Sequence, residues 1–373
     1  MNEKTNLVNM NRRNFLKLLG AAGVTAAGVT LLDTAAPWLN DDLRVMSSVG
    51  PLPMDAGKAA LEKDLVRYAT LAANGHNTQP WKFALQDGAV QIFPDYSRRL
   101  AVVDPEDREM WISLGCALEN LLIAARAAGY AAEVTYPDAA ERIDIRLVED
   151  VRQPGALFDA IVLRQNTRSE YDGRPVPTAD FDLLQKMPVE PGVLLRFASS
   201  PADLETMLDY VNQGNLQQYA DPAFVDELIQ WLRFNKKEAL KSLDGLFSIC
   251  SGNPEVPRWL GKMFVSGTKP QQQAEADAKK LRSSSGAVVI ACETDTRTAW
   301  VRTGQVYERL SLQMTALNIK SALLNQPIEV PEVRPQFQQA LGLGTAPAQL
   351  LMRYGYAEAL PRSLRRPVEQ VLI

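Results

Sequence analysis

The chain is poor in the residues from which many active sites are built. His76 is its single histidine. That excludes metal centres needing several imidazoles and leaves any histidine-based catalytic device on one position. The three cysteines, Cys116, Cys250 and Cys292, are odd in number and far apart. They cannot all pair, and none has the close spacing of a zinc site, so no metal is expected. Charge of one sign is lacking too: 40 Lys+Arg against 44 Asp+Glu give a net charge of −4. The basic surplus of a nucleic-acid binder is absent, and no nucleic-acid partner is expected. There is no Gly-x-Ser-x-Gly elbow for a serine nucleophile. What remains is an ordinary globular composition, 46% hydrophobic and 23% charged, in 373 residues, enough for one large domain or two ordinary ones.

The N-terminus reads as a targeting segment. Asn11-Arg12-Arg13-Asn14-Phe15-Leu16-Lys17 precedes a moderately apolar run and then the small-residue stretch Asp33-Thr34-Ala35-Ala36. This pattern is that of an export signal, and the paired arginines are similar to the twin-arginine type. The expectation is a signal over 1–36, a polar linker over 37–58, passage through the twin-arginine export machinery, and a periplasmic or exported mature protein. An uncleaved membrane anchor and a vestigial leader are the plainer alternatives.

The strongest internal signal is a repeat. Segment 108–127, REMWISLGCALENLLIAARA, and segment 297–316, RTAWVRTGQVYERLSLQMTA, align without gaps at Arg108/Arg297, Trp111/Trp300, Gly115/Gly304, Glu119/Glu308, Leu121/Leu310 and Ala127/Ala316. Trp, Gly and Glu recur four residues apart, so they lie on one helical stripe. A repeated core helix implies two half-units that bury it against each other. Around it, residues 59–73 have helical spacing and stop at Asn74-Gly75, a turn pair that can take positive φ. Trp81–Leu85 and Val90–Phe93 read as a hairpin about Asp87-Gly88. Further strands are expected at Glu133–Tyr136, Ile143–Val148, Leu194–Ala198, Gly286–Cys292 and Leu350–Gly355, and a helix at 156–166. The more polar, helical block 201–282 has no counterpart in the first half and reads as an insertion that could cover a site.

Three segments carry candidate chemistry. Asn74-Gly75-His76-Asn77-Thr78-Gln79-Pro80-Trp81 puts amides that both donate and accept into a helix-to-strand connection, suited to a flat heterocycle with mixed edges. It reads equally as a turn whose amides satisfy local backbone. Arg164-Gln165-Asn166-Thr167-Arg168 could grip a phosphate or carboxylate, or be a solvated basic turn. Arg362-Ser363-Leu364-Arg365-Arg366 concentrates three arginines in a net acidic protein, either as an anion site or as a soluble tail. The Gly342–Pro347 run has glycines spaced partly like a dinucleotide loop, but no strand precedes it and Pro347 leads into a strand, so the context fails. A Cys116–His76 catalytic pair is disfavoured by the apolar setting of Cys116.

Taken together, the three segments suit a planar, hydrogen-bonding ring with a phosphate tail. Asn74 to Trp81 is similar to the Ser-x-x-Asn-x-Gln-Pro-Trp of the nitroreductase family, and Arg164 to Arg168 resembles its Arg-x-Ser-x-Arg/Lys flavin-contact segment. Gly115 to Ala125 looks like its central interface helix. The arginine segment follows the Gln-Pro-Trp segment rather than preceding it. With the repeat, that order resembles the Acg-like subgroup, in which one polypeptide imitates the usual dimer and a lid can cover the flavin.

The resemblance implies an α+β nitroreductase-like fold with halves 59–153 and 154–373, a lid over about 201–282, and a monomer with an internal pseudo-two-fold axis. It implies FMN held by Asn77, Gln79, Arg164, Gln165, Asn166, Arg168, Arg365 and Arg366, with no catalytic side chain required. Electrons would pass from a nicotinamide donor through flavin N5 to a small electron-poor acceptor such as a nitro compound or quinone. The alternatives are a binding protein that sequesters flavin without turnover, and an interaction protein that has lost it.

Overall fold

A computed structural model describes residues 58–86, 88–136 and 140–373. The expected signal, and the linker up to residue 57, lie outside the described residues.

The first half opens with α1, Lys58–Ala69, which buries Leu61, Leu65 and Ala69 along one stripe. Strands β1 (Trp81–Gln86) and β2 (Ala89–Pro94) pair antiparallel from Trp81↔Pro94 to Gln86↔Ala89, the hairpin expected from the sequence. Helix α2, Arg108–Ala128, follows, then β3 (Tyr130–Thr135) and β4 (Ile143–Glu149). Gly129 ends α2 in the left-handed region at φ 94, its N–H reaching the carbonyls of Ala125 and Arg126, and so turns the chain straight into β3.

The second half begins with α3 (Ala156–Ile161), α4 (Thr178–Gln185) and β5 (Val193–Ala198). A long excursion follows: α5 (Pro201–Ala220), α6 (Pro222–Trp231), β6 (Leu232–Arg233), α7 (Lys236–Ser242), β7 (Leu246–Phe247), α8 (Arg258–Ser266) and α9 (Pro270–Arg282). The chain then returns as β8 (Gly286–Cys292), α10 (Arg297–Ala316), β9 (Lys320–Leu323), α11 (Gln326–Glu329), α12 (Arg334–Ala340) and β10 (Ala348–Gly355).

The two principal sheets have one plan. Their orders, β1-β2-β4-β3 and β5-β8-β10-β9, are both first-second-fourth-third, antiparallel throughout, with the long helix between the second and third strands. The excursion from α5 to α9 therefore occupies the place of the first half's hairpin. Helices α2 and α10 cross at their repeated glycines. A Cβ on Gly115 would run into the carbonyl oxygen of Val301, with the carbonyl carbon at 2.8 Å; one on Gly304 would meet the carbonyl oxygen of Ile112, with the Cys116 nitrogen at 2.9 Å. Trp111 and Trp300 are buried beside this crossing. Helix α2 is long and apolar enough to span a membrane, but its apolar surface is buried inside the protein.

Every residue of β8 and β10 is buried, because the second sheet is covered on both faces. Val288, Ile290, Leu350 and Met352 join the core that contains α2 and α10. The alternate residues Ala287, Val289, Ala348 and Leu351 join a second core with Leu204, Met207, Leu208 and Val211 of α5 and Ala278 and Leu281 of α9.

The block 201–282, expected as a lid, has two parts: helices α5 and α9 roof the second sheet, and the stretch between them, with Tyr219 at the end of α5, packs toward Leu100 and Val103 of the first half. The expected helix at 156–166 is also shorter. It stops at Ile161, and Arg164–Arg168 is irregular, with Thr167 N–H donating to Ser321 O at 2.9 Å. Elements α4, β9, α11 and α12 have no counterpart in the sequence expectations. The C-terminus is no solvated tail: Phe83 N–H donates to Val371 O at 2.7 Å and Ile373 N–H to Phe83 O at 2.9 Å, covering the free edge of β1.

Candidate functional site

Four segments that are distant in sequence converge on one cleft. They are the turn after α1, the segment from the end of α3, the stretch from β7 onward, and residues 361–365. The cleft encloses ≈ 780 Å³ including its mouth. Its lining includes Arg164, Arg168, Arg362 and Arg365, the amides Asn74, Asn77, Gln165 and Asn166, and the apolar side chains Leu71, Ile161, Val162, Leu246 and Phe247. Among the described residues no carboxylate lines it.

Two of the arginines are engaged by the protein. Arg164 Nε lies 3.0 Å from Glu308 Oε1, both side chains buried, and Arg164 also donates to Leu71 O at 3.2 Å. Burial pushes the Glu308 carboxyl up, opposed by Arg164 and by the Ala73 N–H that donates to it at 3.1 Å. Arg365 donates to Thr70 O at 2.8 Å, Ala72 O at 3.2 Å and Leu71 O at 3.3 Å, the carbonyls just past the C-terminal end of α1, and to Asn77 Oδ1 at 2.7 Å. A cation at that end is favoured by the helix dipole. Burial, with Arg164 nearby, pulls its pKa down to about 9.

The other two are freer. Arg362 donates to Val162 O. Arg168 has no hydrogen bond or ion pair among the described residues, and burial lowers its pKa. Beside it the His76 imidazole is pulled down to about 4 by burial and then by the Arg168 charge, so it is neutral at pH 7. Asn166 Oδ1 accepts from Tyr307 Oη at 3.2 Å, and Gln165 Nε2 donates to Thr167 Oγ1 at 3.4 Å.

The structure therefore brings six of the eight sequence-selected residues to one cleft: Asn77, Arg164, Gln165, Asn166, Arg168 and Arg365. Gln79 and Arg366 are not among them. Gln79 is fully buried, donating through Nε2 to Leu243 O at 2.8 Å and accepting at Oε1 from Arg366 N–H at 2.8 Å. Arg366 donates to Gln79 O at 2.6 Å and lies behind the cleft wall. Asn77, though in the lining, spends its amide on Gly245 O at 3.0 Å, Leu364 O at 3.2 Å and Arg365.

The turn also differs in detail from its sequence signal. Positive φ falls on His76 (48), Asn77 (54) and Gln79 (53), not on Gly75. Left-handed non-glycine residues persist only where surrounding bonds hold them.

Sequence reasoning missed Asp244. Its carboxylate lies 2.8 Å from Arg98 and 2.6 Å from Arg233. Burial works against that carboxylate, and bonds from Arg98, Arg233 and Ser242 more than offset it, holding its pKa below the ordinary value. Asp244-Gly245 is a visible turn pair, but no local spacing says which distant segment it meets. Cys116 is buried, with its thiol pushed well above the ordinary range by burial and then by Glu308, and no hydrogen bond joins it to His76.

A crossed pair of helices between two antiparallel sheets, with an arginine-lined cleft built from both halves, defines an α+β class of molecule. No family model matches the chain. It is 28% identical to the Mycobacterium tuberculosis H37Rv protein named "Putative NAD(P)H nitroreductase Rv3131", over 87% of this chain and 94% of that one. It is 25% identical to "Putative NAD(P)H nitroreductase acg" of the same strain, over 83% of this chain and 94% of that one. A crystal structure of the FMN-dependent nitroreductase NfnB from Mycobacterium smegmatis in complex with NADPH is 16% identical, covering 58% of this chain and 91% of its own, with a TM-score of 0.35. Over most of its length the chain is thus similar to proteins named as putative NAD(P)H nitroreductases.

Proposed function

We propose that the cleft binds FMN and that the chain is an exported oxidoreductase of nitroreductase type, built as an intrachain pseudo-dimer. The observation that carries the proposal is the lining itself: four arginines, four amides and no carboxylate, with Arg168 unpaired. Glu308 neutralises Arg164 from behind, so the lining keeps a cationic excess that suits a dianionic phosphate. Arg362 and Arg365 would hold that phosphate. Gln165, Asn166 and Arg168 would meet the polar edge of the ring, and Leu71, Ile161, Val162, Leu246 and Phe247 its faces. Asn77, Gln79 and Arg366 would support the walls.

Bound flavin would supply hydride chemistry at N5 toward an electron-poor acceptor; the chain would bind it, orient it and exclude water. The names of the relatives support a nicotinamide donor. Export rests on the Arg12-Arg13 signal, and fractionation of cells expressing the full chain tests it. The matching strand orders and the glycine crossing support the pseudo-dimer.

The test is a titration of the purified chain with FMN and with riboflavin. FMN is expected to bind one per chain and riboflavin more weakly, because it lacks the phosphate. Equal binding would remove the arginine assignment, and no binding of either would remove the flavin. A second reading, storage of flavin without turnover, is favoured by the wall that residues 246–251 of the excursion add to the cleft. It is separated by adding NADPH without oxygen, which bleaches the bound flavin only if the site is open to the donor.

A further inference from the structure

The amides of Asn77 and Gln79 are committed to holding two other segments. Facing their turn is a second one, Leu243-Asp244-Gly245, also left-handed, at φ 56 for Leu243 and φ 76 for Gly245. The two turns are stitched together: Asn77 Nδ2 donates to Gly245 O at 3.0 Å, Gln79 Nε2 to Leu243 O at 2.8 Å, and Gly245 N–H back to Asn77 O at 3.0 Å. Between these bonds Asp244 bridges Arg98 of the first half and Arg233 of the excursion. The same amides take the C-terminal segment: Asn77 Nδ2 also donates to Leu364 O, and the amide oxygens of Asn77 and Gln79 accept from Arg365 and from the Arg366 N–H. Leu243, Phe247 and Cys250 then pack with Leu364 in one small apolar cluster.

Two side chains thus tie three chain segments, and two of those segments continue directly into walls of the cleft, at 246–251 and 361–365. Gly245 cannot move alone. A Cβ there would collide with Trp231 O and lie 2.8 Å from the Arg233 guanidinium carbon, so this turn is wedged against β6.

We propose that Asn77 and Gln79 form a latch, closed by the Asp244 bridge, and that the strap 243–251 is the gate through which the ligand of the cleft enters and leaves. This rests on the reading of the cleft as a flavin site. In this chain the two motif amides govern access, and ligand contact falls to the arginines and to Gln165 and Asn166. Asp244 touches no lining residue of the cleft through its own bonds, so its removal loosens the gate and leaves the ligand contacts in place. Loosening a gate that closes over empty and filled clefts alike speeds entry and exit together and leaves affinity nearly constant.

The experiment uses the full chain and Asp244→Asn. Hydrogen exchange without flavin is expected to rise at 243–251 and to stay unchanged in α2 and α10. Stopped-flow mixing with FMN is expected to give association and dissociation rates each raised about tenfold, with the dissociation constant within a factor of two. Arg233→Gln, which weakens the same bridge from β6, provides a second route to both readouts should Asp244→Asn fail to fold. Unchanged exchange at 243–251 in a folded variant overturns the latch. Raised exchange with unchanged FMN rates overturns the gate and leaves the flavin reading standing. A wild-type chain that takes up no FMN overturns the flavin reading itself, and the gate with it.

Discussion

At Gly115 and Gly304 the backbones of α2 and α10 touch, and no side chain, not even a methyl, fits between them. In an isolated helix Gly→Ala would stabilise by about 1 kcal/mol. Here the added carbon meets a carbonyl oxygen of the other helix, an obstacle that cannot rotate away. Overpacking of a rigid core costs about 1–3 kcal/mol, and the helices must separate to relieve it. Gly115→Ala is therefore expected to lower stability by about 1 kcal/mol net, and Gly304→Ala by a similar amount. The urea midpoint measures it, and a rise in midpoint would mean the crossing is looser than described. The register Trp-Gly-Glu was legible because identical residues stood at identical spacing. The burial of Glu119 and Glu308 was not, since their partners Arg309 and Arg164 come from different places in the fold.

Among the elements, sequence reading succeeded where periodicity was strong and failed where tertiary contacts replaced it. Helix α10 spans the residues of its repeat, and β8 stands where the β-branched run placed it. Helix α5 reads in sequence as part of a lid because its composition is polar on average. Its Leu204, Met207, Leu208 and Val211 nevertheless make an i, i+3, i+4, i+7 stripe that roofs the second sheet. The arginine segments were found by composition, but their roles diverge by what they touch. Arg365 satisfies three carbonyls beyond α1, and Arg168 satisfies nothing among the described residues. Leaving buried carbonyls unpaired costs about 1–3 kcal/mol. Arg365→Ala is thus expected to lose both FMN affinity and about 2 kcal/mol of stability. Arg168→Ala is expected to lose FMN affinity with stability within about 0.5 kcal/mol of the parent. Thermal melts of both variants without flavin check the contrast; equal destabilisation would place Arg168 in the framework.

For the whole molecule, the question is whether two halves with one strand plan behave as two bodies or one. The principal core answers in contacts: Leu114 and Leu118 of α2, Val301 and Tyr307 of α10, Ile92 of the first sheet and Ile290 of the second belong to a single cluster. The C-terminal residues cross back to pair with β1, so the last segment of the chain completes the first sheet. The covalent link between halves, by contrast, is slight. Residues 151–155 are all exposed, and Val151 is 73% accessible. If the halves are a fused dimer, cutting that link removes only the tether, whose role is to keep the partners at high effective concentration. A chain with a protease site inserted within 151–155 is expected to stay associated after cleavage, eluting in gel filtration at the uncut size. Before cleavage it should melt in one calorimetric transition, with van't Hoff and calorimetric enthalpies equal. After cleavage the transition should remain single, but its midpoint should fall on dilution, as for a bimolecular complex. Two separate transitions, or halves that part on the column, would mean that the glycine crossing and the returning C-terminus do not suffice to make one body of the two.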